Sequence, residues 1–285
     1  MGIVSSREVA KVMKLDKFGP LGTTIGWMVL RTTRLSKLNS EYQKRKNLPG
    51  PEFIDSILEG FEIDFQIPEK DLKRIPASGP FITIANHPLG GIDGMILMKI
   101  FLKNRPDYKV IANFLLQRLE PLEPYILPVN PFENHKEAKS STSGIKAALK
   151  HLKEGKPLGI FPAGEVSTYK DERQIVDRPW DPAAMKLIQK VGVPVIPVYF
   201  HARNSTFFYR LASANDILRT AKLPSEMLSQ RKRKIKVRIG NPIKPEEFSQ
   251  LTNLESFTAF LRRKTYMLAN VFEKKKMFSK LPKSL

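Results

Sequence analysis

Near residue 80 the spacing of apolar positions changes, and that change divides the chain. Before it, apolar and basic residues mix at helical spacing in WMVLRTTRLSKL (27–38), EYQKRK (41–46) and FIDSILEGF (53–61). The breaker-rich NLPGPE (47–52) separates the last two. After it, short β-rich apolar runs recur at 81–85, 108–112, 125–129, 157–161, 193–200 and 235–239. Helical patterns fill the gaps at 93–103, 137–155, 181–192 and 213–221. Strands alternating with helices predict an α/β fold, a mixed and largely parallel sheet flanked by helices. Gly155 is placed to cap the helix at 137–153.

The final segment, 254–276, sets Leu254, Phe257, Phe260, Leu261, Leu268, Val271 and Phe272 near one helical face. Core packing is its first reading. Three regions follow: a helical segment at 1–75, an α/β domain at 76–250, and a basic amphipathic helix at 251–285. In the first region Trp27, Met28, Leu30 and Leu35 sit among basic residues. Two readings stand for it, membrane docking through an interfacial helix and packing on the main domain.

Charge sharpens this picture. Forty-eight Lys and Arg against 28 Asp and Glu leave a formal net charge of +20. Such a field favours anionic partners such as acidic lipids, phosphorylated cofactors or an acidic carrier protein. The chain has no cysteine, which excludes disulfides, thiolate metal sites and a cysteine nucleophile. No apolar stretch reaches the ~20 residues of a membrane-spanning helix. The runs RKRK (231–234), RRK (262–264) and KKK (274–276) raise a nucleic-acid reading. They lack interleaved aromatics and any nucleic-acid motif, so a membrane surface is the expected partner and nucleic acid is not.

Three unusual loops begin where predicted strands end: ANHPLGGIDG (85–94), FPAGEVS (161–167) and FHARNS (200–205). Open α/β sheets bind ligands at that edge. A neutral imidazole at His87 can take a proton from an attacking hydroxyl, and Asp93 can fix its tautomer. Gly90 and Gly91 let the loop fold back so that the two meet. Asp93 also reads as a cap of the following helix, and both roles are compatible. Asn113 stands at another strand end, and Arg203 and Asn204 follow a third. The latter two suit an anionic headgroup or a coenzyme phosphate, or loop hydrogen bonding. Glu165 reads either as a substrate contact or as a partner of a nearby Lys or Arg. The charged, aromatic segment 169–182 is long enough for a lid. His135 and His151 read as exposed, His201 as structural, and none has a partner at metal-ligand spacing.

These residues carry a resemblance. NHPLGGID resembles the histidine–aspartate motif of the glycerolipid acyltransferase superfamily. FPAGEVS resembles its Phe-Pro-Glu-Gly block, and VPVIPVYF its Val-Pro-Ile-Xaa-Pro-Val block. With ANFLL, ILPVNPF, PVYFHARNS, ILRTAKLPSEML and VRIGNPI, the order is similar to that of the hemolysin-like lysophospholipid acyltransferase branch. That branch includes O-acyltransferases of ornithine and glycine aminolipids. The likeness spans roughly 75–245.

The resemblance implies a peripheral enzyme on the inner face of the cell membrane, with no bound cofactor. It would move an acyl chain from acyl-CoA or acyl-carrier protein to the hydroxyl of a lyso-lipid or monoacylated aminolipid. His87 would be the base and Asp93 its orienting carboxylate. Gly90, Gly91, Asn113, Phe161, Pro162, Gly164, Glu165, Arg203 and Asn204 would contact substrate. Backbone amides of the glycine loop would hold the oxyanion. Two departures stand out. Five residues separate His87 from Asp93, one more than is commonest in the superfamily. Ala163 stands where the superfamily has Glu and Val166 where it often has Arg, and the loss of that Arg removes a fork of charge-assisted donors from the headgroup site. Two rival functions remain: a thioesterase or lipid hydrolase using the same pair on water, and a non-enzymatic basic binding protein.

Overall fold

The computed structural model describes residues 5–12, 16–32, 34–129, 139–169, 174–214 and 216–269. Its helices are α1 (Ser6–Val12), α2 (Gly19–Thr32), α3 (Leu35–Arg45), α4 (Gly50–Gly60), α5 (Glu69–Leu72), α6 (Gly91–Leu102), α7 (Lys139–Lys153), α8 (Pro182–Val191), α9 (Thr206–Ala214), α10 (Asp216–Ser229) and α11 (Leu254–Tyr266). Its strands are β1 (Asp64–Gln66), β2 (Ile82–Ala85), β3 (Lys109–Asn113), β4 (Ile126–Val129), β5 (Leu158–Ile160), β6 (Thr168–Tyr169), β7 (Ile175–Val176), β8 (Val195–His201) and β9 (Lys234–Ile239).

Seven strands form one sheet in the order β1-β9-β8-β2-β5-β3-β4. All neighbours are parallel except β8 and β9. The sheet is therefore mixed and largely parallel, as the alternation of runs predicts. Its six central and edge runs match the expected strands within a residue or two, while β1 and the small β6–β7 hairpin carried no sequence signal.

Period-two alternation sorts the strand side chains onto two faces. Phe81, Ala85, Ile196, Val198 and Phe200 join α4 and α6 in one apolar cluster. Ile82, Ile84, Leu158, Ile160 and Val195 join α7, α8 and α11 in another. Helix α6 is apolar nearly all round because it is enclosed between the sheet and α4. Helix α11 is seated in the second cluster through Phe257 and Leu261, both fully buried. Val271, Phe272, the KKK run and His135 lie outside the described residues.

Two expectations are corrected. His151 is buried, not exposed: Gly155 adopts φ +79° and turns the chain back after α7, and the Pro157 carbonyl meets the ring Nε2 at 3.0 Å. The helical stretch expected at 213–221 is the middle of a longer run, α9 and α10, that begins at Thr206 and ends at Ser229. Among the described residues no helix is long and apolar enough to cross a membrane.

Candidate active site

The parallel register of β8, β2, β5 and β3 brings the loops after β2 and β5 to one edge of the sheet, and that after β8 to the same edge. There His87 and Asp93 meet. The His87 Nδ1 lies 3.2 Å from Asp93 Oδ2, so the five intervening residues do not separate them. Gly90 makes this possible by adopting φ +78° just before α6, a region that costs a side chain dearly. Gly91 is not constrained in this way, since a Cβ there would meet open space.

Asp93 stands at the third position of α6, with Gly90 as the N-cap. Its Oδ2 accepts the N–H groups of Leu89 (2.7 Å) and Gly90 (3.1 Å) and also faces the imidazole. The cap of α6 and the approach to the imidazole thus fall on a single oxygen. The other oxygen, Oδ1, is buried without a hydrogen bond, and the His87–Asp93 approach is close but not aligned as one. Burial pushes the Asp93 carboxyl above its ordinary range, while the imidazole and the two N–H groups pull it back. Phe161 packs against the other side of the imidazole, with ring centroids 4.1 Å apart.

The peptide groups around His87 are pinned from distant parts of the chain. The Asn86 side chain exchanges two hydrogen bonds with the Phe200 backbone, at 3.1 and 2.7 Å. The His87 N–H donates to Asp177 (3.1 Å) and the His87 carbonyl accepts from the Ser167 N–H (2.9 Å). Asn204 donates its side-chain N–H to the Pro88 carbonyl at 2.9 Å.

A cavity of about 540 Å³ opens beside the imidazole, within the ~300–1,000 Å³ usual for ligand pockets. His87, Gly90 and Gly91 reach it from the first loop, Phe161, Pro162 and Gly164 from the second, and Asn113 from the end of β3. The rest of its wall is mainly apolar, with α3, α4, α6 and α10 contributing Leu38, Ile57, Met98 and Met227. Glu165, Arg203 and Asn204 are not among its lining residues. Glu165 instead pairs with Arg178 at 3.3 Å. Arg203 is exposed, and Asn204 is buried against the histidine loop. Ser167, Asp177 and Asn86 carried no role in the sequence reading. Asn86, adjacent to His87, and Ser167, the last residue of FPAGEVS, stood within motifs that could have drawn attention to them, whereas Asp177 did not.

The profile of the family described as Acyltransferase matches residues 10–275, almost the whole chain. The chain belongs to that acyltransferase family. Two curated relatives, each named lyso-glycine lipid O-acyltransferase, are 28% identical to it. The protein from Phocaeicola vulgatus aligns over 239 residues, 81% of this chain and 83% of its own. That from Bacteroides thetaiotaomicron aligns over 240, 81% and 85%. Among solved structures, the Thermotoga maritima 1-acyl-sn-glycerophosphate acyltransferase PlsC is 16% identical, with a TM-score of 0.48 over 87% of this chain and 88% of its own. Membership sets aside the non-enzymatic reading of the basic surface. In this acyltransferase, the histidine loop and the FPAGEVS block that carried the resemblance are the two loops that flank the cavity.

Proposed function

We propose that this acyltransferase moves a long acyl chain from a soluble thioester, acyl-CoA or acyl-carrier protein, to the hydroxyl of a lyso-glycine lipid or closely similar monoacylated aminolipid. The observation that carries this is the pairing of His87 with a buried carboxylate at the mouth of an apolar cavity. The acceptor class follows the names of the two relatives and the Val166 departure, where the loss of an Arg takes away a phosphate clamp.

With Nδ1 turned to Asp93, Nε2 is the nitrogen available to the cavity. It takes the hydroxyl proton as the oxygen attacks the thioester carbonyl carbon. The new C–O bond forms, the C–S bond then breaks, and the imidazolium returns its proton to the departing thiolate. Such contacts are often poorly aligned without substrate and tighten when it binds, which suits the loose His87–Asp93 approach. The Leu89 and Gly90 amides are committed to Asp93 and that of His87 to Asp177. Oxyanion stabilisation therefore falls to other donors, foremost the first-turn amides of α6 at Gly91 and Ile92, which helix geometry leaves without intrahelical acceptors.

Docking on the inner face of the cell membrane is the matching placement. Phe18, Leu21, Trp27 and Met28 are all about half exposed or more along α2 and its approach, beside Lys17 and Arg31. Each basic residue near anionic lipid contributes about 1 kcal/mol.

The test is His87→Ala, assayed with a long-chain acyl-CoA and a lyso-glycine lipid. We expect a loss of about 10²–10⁴-fold in kcat with an unchanged thermal melt. Transfer at the parent rate would sink the histidine-base mechanism. Free fatty acid released without acceptor would instead mark a hydrolase.

A further inference from the structure

We infer that Asp177 is a positioning residue for acyl transfer, fixing the peptide of His87 and tying it to the FPAGEVS block and to helix α11. The inference rests on the reading of His87 as the base.

Asp177 lies just past β7, within the stretch 169–182 that reads in sequence as a lid, yet it is only 1% exposed. Its Oδ1 accepts both the His87 backbone N–H (3.1 Å) and the Ser167 hydroxyl (2.6 Å). Its Oδ2 accepts the Trp180 indole N–H at 3.3 Å. On the main chain, its N–H donates to the Tyr266 hydroxyl (2.8 Å), and its carbonyl accepts from the Arg262 guanidinium (2.6 Å). One residue thus joins the loop after β2, the loop after β5 and the C-terminal helix.

The geometry around His87 shows why this matters. Ser167 donates on both sides: its hydroxyl to Asp177, and its N–H to the His87 carbonyl. Both polar groups of the His87 peptide are therefore held by partners 80 and 90 residues away in sequence. The imidazole's own link to Asp93 is not an aligned hydrogen bond. Its direction then depends on the backbone that carries it and on the Phe161 ring stacked against it. A carboxylate suits the post because it has no donor of its own: it faces three donors, and an uncharged residue of the same shape satisfies only some of them.

The experiment compares Asp177→Ala, Asp177→Asn and Tyr266→Phe, again with a long-chain acyl-CoA and a lyso-glycine lipid. In Asp177→Ala we expect kcat to fall about 10²-fold with KM nearly constant, the scale of a reacting group displaced by about 1 Å. The acidic limb of kcat/KM against pH, which reports the base, should move as well. Asp177→Asn keeps an acceptor oxygen for His87 and should regain most of the loss. Tyr266→Phe loses only the acceptor of the Asp177 N–H and should show a smaller fall in the same direction. A parent-like pH profile in Asp177→Ala, or a loss that merely tracks the folded fraction, overturns the inference. Where the alanine variant does not fold, Tyr266→Phe decides, and parent kcat with a parent pH profile overturns it. Activity in His87→Ala would sink the underlying mechanism instead, so the two failures are distinguishable.

Discussion

Asp71 and Asp93 are both sealed completely from solvent, and the fold treats them in opposite ways. Asp71, at the end of the small helix α5, accepts a fork from Arg238 (2.6 and 3.3 Å), a bond from Arg74 (2.9 Å) and the Ile239 N–H (3.2 Å). Permanent positive charge surrounds both of its oxygens. Among the described residues Asp93 has no Arg or Lys partner. One of its oxygens takes two backbone N–H groups and an imidazole, and the other takes no hydrogen bond. The first cluster fastens α5 to β9, and its carboxylate meets fixed positive charge whether or not a substrate is present. The second holds a carboxylate that faces an imidazole and two backbone N–H groups in place of a fixed cation. A fully satisfied buried charge is a mark of structure, whereas an under-satisfied one beside a titratable group and a cavity marks chemistry.

Swapping the consequences is the strongest way to break this contrast. Asp93→Asn should cut kcat by about 10²–10⁴-fold, because the imidazole loses its orienting charge. Its melting temperature should be equal or higher. The folded pKa of Asp93 is raised, so keeping it ionised at neutral pH costs stability, and Asn still accepts the Leu89 and Gly90 N–H groups. Asp71→Ala should do the reverse. Leaving Arg238 buried without its partner should lower unfolding free energy by about 3–5 kcal/mol in urea titration, with kcat per folded molecule unchanged. Finding both variants impaired alike in rate and stability would erase the distinction.

A middle-sized effect concerns acid stability. His201, packed between Tyr199 and α11, has its pKa lowered from 6.5 to about 4 by burial, helped by Arg238 and Lys236. Its neutral form is the one that folds. Above pH ~6.5 it costs nothing, and between about 6.5 and 4 the unfolded chain protonates first, so stability falls as pH falls. His201→Gln should flatten that slope in thermal melts at stepped pH. An unchanged slope would assign acid sensitivity to other groups. The smallest effect is expected of Glu165→Gln. Its pair with Arg178 is about one-third exposed on both sides, worth under ~1 kcal/mol, so rates should change by less than about fivefold. A much larger loss would return Glu165 to the substrate.

Much of the fold was legible along the chain because burial leaves a local imprint. A run such as FITIA must alternate its side chains between two covered faces, and it does so as β2. The pairing of His87 with Asp93 was legible too, since the glycines between them let the loop fold back. What escaped was which side chains secure that return. Asn204 reads from its place at a strand end either as a headgroup contact or as a loop hydrogen bond, and only the fold shows it turned inward to Pro88. His151 reads as exposed on a basic helix, but the turn at Gly155 encloses it.

The chain alone therefore settles the alternation of strands and helices, the edge where three loops gather, and the titratable side chains that stand there. Those properties depend on neighbours within a few positions, and periodicity records them. Only the folded molecule decides that Asp177 holds the histidine peptide, that one oxygen of Asp93 both caps α6 and faces the imidazole, and that Glu165 is occupied by Arg178. A hydrogen bond between residues far apart leaves no spacing to read. It exists because strands from distant parts of the chain are laid side by side, and their ends meet only then.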